Sequence, residues 1–451
     1  MQPNEQANVT ISLNQKLARL SPSQSQCCIF HVHNKLRNIN ENAYEPEIVA
    51  IGPYYHGKKT LQMMEEHKLR YLQLLLKQRN DNLDRYVNAM RSLEEKAREC
   101  YAEAESITLN RHEFVEMLVL DGCFIVELLR KYNMNFLRDK NDVIFKMDWM
   151  IYWLQRDLML FENQLPFFVL CKLFDLIEVP NQHSRFIYLA LNFFHDIFPG
   201  PGQIIEDNAR GISSSNCMAV HLLDLIHKNW LPTSLATMNY PREELFSTIK
   251  NGEYWRLIKS ATELKAAGLK FEKIEGAKSL FDINFKNGVL QIPQLTIEDR
   301  SESFFRNLLV QEQYFCGDTR LNFVTSYVKF LDCLINSPSD VEILRSCGII
   351  DNWLGDDKVV SDIFNKIGDS IIVWYDDFHY AETFNRVNIY CNRRINGWLA
   401  KLKHNYLNSP WAVLSIFAAF VLLVLTLTQT AFGIVSYKES GYGTAAANCT
   451  V

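Results

Sequence analysis

Along the chain, apolar residues recur mostly at intervals of three and four, the period of helices that bury one face. Leu61, Met64, Lys68, Tyr71, Leu72, Leu75 and Leu76 follow this spacing and predict an amphipathic helix, with Lys68 the polar exception on its apolar face. A lysine there is expected to lay its stem along the core and keep its ammonium at the edge. The run from Phe114 to Tyr132 is apolar on most sides and predicts a central helix. Gly122 costs that helix about 1 kcal/mol relative to alanine, which predicts a neighbour packed closely against it. Asp121 and Glu127 are costly to bury unless paired, so they read as structural ion pairs or helix-edge positions.

Pro166 lacks an N–H and restricts the residue before it. The stretch DWMIYWLQRDLMLFENQLPFFVLCKLF therefore predicts a helix before Glu162, a bend over Glu162 to Leu165 and a second helix starting around Pro166. Strand-like alternation is confined to Phe271 through Ile297, where Asn287-Gly288 is a hairpin signal and a small hairpin or three-stranded element is expected. Helices resume over Leu321 to Ile335, Val360 to Ile367 and Tyr380 to Leu402.

From Trp411 to Val435 no residue is charged, and Leu414, Phe417, Leu422 and Leu425 belong to a nearly continuous apolar run. About 25 helical residues reach roughly 37 Å, enough to span a hydrocarbon core of about 30 Å. Lysine and arginine set the expected orientation: Arg393, Arg394, Lys401 and Lys403 precede the segment and Lys438 alone follows it, which keeps the N-terminal side cytosolic. The N-terminus is polar and has no apolar run of the secretory-signal kind. Asn8 and Asn448 head formal glycosylation motifs on the expected inner and outer sides.

The expected organisation is a mainly α fold: a flexible 1–27, one large helical domain over 28–405 with the small β element near 271–297, a transmembrane helix at 411–435 and a short lumenal or extracellular tail at 436–451. No long linker divides the domain, and Asp207 to Asn216 reads as a surface loop.

Composition narrows the function classes. Hydrophobic residues make up 48% and charged residues 22% of 451, the make-up of a globular chain. A net charge of −5, with lysine and arginine dispersed, argues against nucleic-acid binding. Eleven cysteines without a C-x-x-C pair fit neither a zinc module nor a disulfide framework, and a reducing compartment is the simpler reading.

His31, His33 and His56 form the best metal-like group, but without a cysteine pair or carboxylate spacing they read as ordinary histidines. The turn from Gly52 to Gly57 lacks the lysine and glycine spacing of a phosphate cradle and reads as a fixed turn with packed tyrosines. The most suggestive set is Arg156, Asp157, Glu162, Asn163 and Gln164 beside the proline bend, where a carboxylate, an amide and a guanidinium converge. Buried bends also need such groups to satisfy free backbone donors and acceptors. These five are the candidate binding residues; no catalytic motif, metal site or cofactor is expected.

Several blocks in order carry a family resemblance: Leu36-Arg37, Ala43-Tyr44-Glu45-Pro46, IGPYYHG from Ile51, LDGCFIVELL from Leu120, RDLMLFENQLPFFVL from Arg156, HLLDLIH from His221, SATELKAAGLKF from Ser260, GVLQIP from Gly288 and FRNLLVQEQ from Phe305. The chain resembles the plant-specific domain of unknown function 247 family, also called uncharacterised protein family 0481. Val32-His33 stands where relatives often carry a Val-Pro pair, and Tyr55 where a second histidine is common. The resemblance implies a plant membrane-anchored protein without an assigned activity, with some relatives resembling pollen-side determinants of self-incompatibility in grasses.

The leading expectation is a non-enzymatic recognition or signalling scaffold, single-pass in the plasma membrane or endoplasmic reticulum, with a bilayer and an unidentified protein as partners. The alternatives are an enzyme using the 156–164 region and an extracellular recognition domain of reversed topology.

Overall fold

A computed structural model describes residues 27–102, 107–178, 183–201, 219–231, 256–315, 322–369, 378–392 and 410–446, together with 10, 13, 14, 17 and 371. The loop at 207–216, the flanking Arg393, Arg394, Lys401 and Lys403, the motif residues Asn8 and Asn448, and most of 1–27 lie outside the described residues.

Numbering helices of nine or more residues, the N-terminal half contains α1 (Gln62–Arg79), α2 (Leu83–Glu99), α3 (Arg111–Asn133), α4 (Asp148–Asp157), α5 (Phe167–Ile177), α6 (His183–Phe193) and α7 (Leu222–Trp230). The C-terminal half contains α8 (Ser301–Tyr314), α9 (Phe323–Leu334), α10 (Pro338–Ser346), α11 (Asp357–Gly368), α12 (Ala381–Asn392) and α13 (Pro410–Ala446). Local chemistry sets the ends: Asn110 and Glu113 form a capping box at the start of α3, Ser337 and Asp340 form another before α10, and Asn80 closes α1 with a left-handed φ of 49°.

The central helix of the sequence reading is α3, buried along nearly its whole length. It packs against α1, α2, α5 and α6, while α8 packs against α7, α9 and α11. One continuous apolar core runs through both halves. Gly122 lets α5 approach α3: a Cβ at this position would overlap Leu173 Cδ1, and Leu173 is itself fully buried. Asp121 and Glu127 are paired as structural ions, Asp121 with Lys68 at 2.6 Å and Glu127 with Arg130.

Three features differ from the sequence pattern. Lys68 is only 1% exposed; its ammonium sits inside, donating to Ala50 C=O, Glu65 and Asp121 at 2.6 Å each, because Asp121 on α3 supplies the opposite charge. The helix before the proline bend stops at Asp157 instead of running on to Phe161, and Pro166 is the cap of α5 rather than its first helical residue. The apolar C-terminal helix continues past Val435 to Ala446, into the stretch expected as a tail.

The β region is larger than a single element. Strands β1 (Lys270–Lys273), β2 (Asn284–Lys286) and β3 (Val289–Ile292) form a sheet in the order β1-β3-β2, with β2 and β3 antiparallel through the Asn287-Gly288 turn, whose φ angles are 54° and 80°. Strand β4 (Leu295–Ile297) pairs in parallel with β5 (Ile350–Asn352), which lies outside the alternating stretch and is too short to show a period. Helix α12 packs on β2.

Overpacking the α3–α5 contact is expected to be costly. Gly122→Val should lower stability by about 2 kcal/mol, the usual scale for forcing extra carbons into a filled core, and Leu173→Ala in the same chain should recover part of that loss. Denaturant midpoints of the two variants and the double variant check both statements.

Candidate functional site

Between Asn38 and Lys58 the chain contains one 3-10 turn and otherwise no helix or strand, so its backbone groups must find partners outside regular structure. The turn from Asp157 to Pro166 provides them. The Asp157 carboxylate accepts the N–H groups of Glu47, Ile48 and Val49 at 2.8–3.1 Å. Asn163 accepts from Ile51 N–H at 2.7 Å and donates to Val49 C=O at 3.0 Å. Arg156 donates to Glu45 C=O at 2.8 Å and to Asn42 C=O at 2.5 Å, and pairs with Asp157 at 2.8 Å.

The same side chains hold the bend itself. Asn163 also donates to Asp157 C=O, and Gln164 donates to the carbonyls of Leu158 and Leu160 in the turn that follows α4. Gln164 then reaches α7 by accepting from Leu223 N–H at 3.2 Å. Gly52 passes close beneath this turn: its N–H donates to Asp121 at 2.9 Å, its φ is 74°, and a Cβ there would lie 2.6 Å from Gln164 C=O.

Glu162 is 2% exposed and sits at the centre of the cluster. Its carboxylate accepts from Val32 N–H at 2.6 Å, Arg37 at 2.5 Å and Tyr55 O–H at 2.7 Å, with His31 Nδ1 3.8 Å away. Burial works to raise this carboxyl, but His31, Arg37 and Tyr55 outweigh it and hold it below its ordinary value of 4.5. Burial pushes the Tyr55 phenol up, so it remains a donor.

The five residues singled out by sequence are therefore brought together, all buried, with their polar groups engaged within the domain. The histidines are not brought together: His31, 45% exposed, stacks on Tyr54 at 3.8 Å, His33 Nδ1 caps a short turn by accepting from Lys35 N–H, and His56 is exposed. Among the described residues, no group of three or more His, Cys, Asp or Glu side chains is placed to hold a metal ion. The turn at Gly52–Gly57 is fixed as expected, with Tyr54 donating to Ile29 and Ala102 carbonyls and Tyr55 buried against Glu162.

Sequence reasoning missed the far side of the cluster. Asn307 on α8 accepts from Phe161 N–H and donates to Ala43 C=O, Ser303 also donates to Ala43 C=O, and Tyr314 O–H bridges His31 C=O and His33 N–H. Arg37 and FRNLLVQEQ stood in the resemblance blocks, the signal that could have marked them as partners of the bend.

This geometry defines a class: a mainly helical domain in which one buried polar bend ties an irregular N-terminal segment to both halves, followed by an apolar helix. The chain belongs to DUF247, a family described as plant protein of unknown function, which matches residues 29–425. The UPF0481 protein At3g47200 of Arabidopsis thaliana is 33% identical over 445 residues, covering 94% of this chain and 90% of that relative. The putative UPF0481 protein At3g02645 of the same plant is 22% identical over 504 residues, covering 94% and 93%. No solved structure matches the chain.

A depressed carboxyl stabilises the fold above its unfolded pKa and loses that contribution as pH falls through its folded pKa. Acidification below about pH 4.5 should therefore weaken the domain partly through Glu162. Glu162→Ala should cost about 3 kcal/mol at neutral pH, the scale for stripping one partner from a buried ion pair. The variant's stability should also fall less steeply with acid than the wild type's, as read by denaturation at pH 7 and pH 4.

Proposed function

We propose that the protein is a membrane-anchored recognition scaffold, with α13 crossing a bilayer and the helical domain on the cytosolic side binding a protein partner. The observation that carries the reading is the state of α13. Phe417–Ile434 is a window of mean hydropathy 2.0 with none of it buried inside the fold. Leu414, Phe417, Leu422 and Leu425 are exposed along it. An apolar helix of this length that none of the described residues of the domain cover is stabilised by lipid, at about 0.3–0.6 kcal/mol for each Leu, Ile, Phe or Val near the centre. Its hydroxyl groups turn inward: Thr426, Thr428 and Thr430 donate to carbonyls three or four residues back, which lowers the cost of placing them in hydrocarbon.

The cytosolic placement rests on flanking charge, with Arg393, Arg394, Lys401 and Lys403 before the helix and Lys438 after it. A recognition role rather than turnover is supported by the bend: the groups of Arg156, Asp157, Asn163 and Gln164 are spent on backbone partners, which is the work of a scaffold. One observation favours the enzyme reading: half-exposed His31 lies beside Glu162, the arrangement of an acid–base pair at a rim. Glu162 already accepts from Val32, Arg37 and Tyr55, which leaves it little capacity to take a substrate proton.

Protease treatment of sealed vesicles carrying the chain with an N-terminal epitope tag tests the placement. The tag should be digested without detergent, leaving a short protected C-terminal fragment. Protection of the whole domain until detergent is added would reverse the topology and turn the search to extracellular ligands, and release of the chain by alkaline carbonate would remove the anchor.

A further inference from the structure

The N-terminal segment is pinned to the end of α2 by backbone pairing. The N–H groups of Cys28 and Ile29 both donate to Cys100 C=O, at 2.8 and 2.9 Å, and Ala102 N–H donates to Ile29 C=O at 2.8 Å. Ile29 and Tyr101 thus form an isolated parallel bridge. One step back along the two segments are Cys28 and Cys100, the latter helical at the end of α2 with φ −72° and ψ −18°. The 2.8 Å bond from Cys28 N–H to Cys100 C=O puts their backbones in contact, the closeness a disulfide needs, with its Cα atoms about 4.4–6.8 Å apart. The Cys27 Sγ instead donates to Ile29 C=O at 3.9 Å.

Both cysteines are buried, and both thiols are free in the structure. The two side chains interact directly, which pushes the Cys28 thiol up and holds the Cys100 thiol down. The thiolate is the reactive form of either sulfur.

We propose that Cys28 and Cys100 are a redox latch: a hydroperoxide oxidises the pair to a disulfide that fastens the N-terminal segment to α2. The Cys100 thiolate attacks a peroxide oxygen, the O–O bond breaks, hydroxide leaves and Cys100 becomes a sulfenic acid. The Cys28 sulfur then attacks the sulfenic sulfur, the S–S bond forms as the S–O bond breaks, and the departing hydroxide takes the Cys28 proton to leave as water. Two thiols and one hydrogen peroxide give one disulfide and two waters.

The latch acts on the polar cluster through a short lever. Cys28 lies four residues before Val32, whose N–H bonds Glu162, and three before His31, whose carbonyl is held by Tyr314. Closing the bond removes the freedom of this segment to peel away from Glu162, so the oxidised form is the one with the cluster fixed shut.

The test uses the full chain in detergent micelles, treated with hydrogen peroxide, alkylated, digested without reductant and mapped by tandem mass spectrometry. The expected product joins the Cys28 and Cys100 peptides, with a raised melting temperature that reductant reverses. Cys27→Ser should keep the link, and Cys28→Ser and Cys100→Ser should each lose it. Full alkylation of Cys28 and Cys100 after peroxide, or a link that runs through Cys27, would overturn the proposal. The wild-type map decides this by itself, so a variant that fails to fold does not shield it.

Discussion

An irregular segment buried against a helical core must have its backbone satisfied, and that requirement organises the rest of the molecule. A chain passing through the interior without helix or strand leaves each N–H and C=O to find its own partner, and each one left unpaired costs about 1–3 kcal/mol. Here the partners come from one bend more than 100 residues away. Asp157 takes three consecutive N–H groups, Asn163 takes both an N–H and a C=O, and Glu162 takes the N–H of Val32. The five polar residues cluster because that task requires carboxylates and amides rather than apolar side chains.

The arrangement joins the halves of the molecule. Gln164 connects the bend to α7, and Asn307 connects it to α8, while Ala43 C=O receives two donors from α8. Asp121 extends the network to α1 through Lys68 and to Gly52 through its N–H. Lys68 and Asp121 are each costly to bury and are tolerated together, with Ala50 C=O and Glu65 satisfying the remaining ammonium donors. The core supplies the bulk of the stability, and the polar network selects which irregular path the N-terminal segment takes over it.

How much of this was legible in the sequence follows from the range of each interaction. Helix α3, the close packing at Gly122, the Asn287-Gly288 hairpin and the apolar C-terminal helix all rest on local period or single-residue chemistry, and they stand where the pattern put them, the last running on beyond its expected end to Ala446. The candidate residues at the bend were legible too, because polar groups beside a proline in an otherwise apolar stretch signal free backbone to be satisfied. Their partners were not: Val49, Ile51 and Val32 contribute through backbone N–H groups, which carry no side-chain signature, and Asn307 lies on a distant helix. Lys68 misled for the same reason, since an edge lysine and a buried one paired with Asp121 share one spacing. Strand β5 and the Cys28–Cys100 register depend on pairing across 50 or more residues, where no local period exists.

Amide hydrogen exchange of the wild-type chain decides whether the bend, rather than regular structure, holds the segment in place. The amides of Ile48, Val49, Ile51 and Gly52 lie in no helix or strand, yet each donates to Asp157, Asn163 or Asp121. They should exchange as slowly as the amides in the middle of α3. Exchange at the rate of exposed turns would mean that these hydrogen bonds open freely and that the apolar core alone positions the segment.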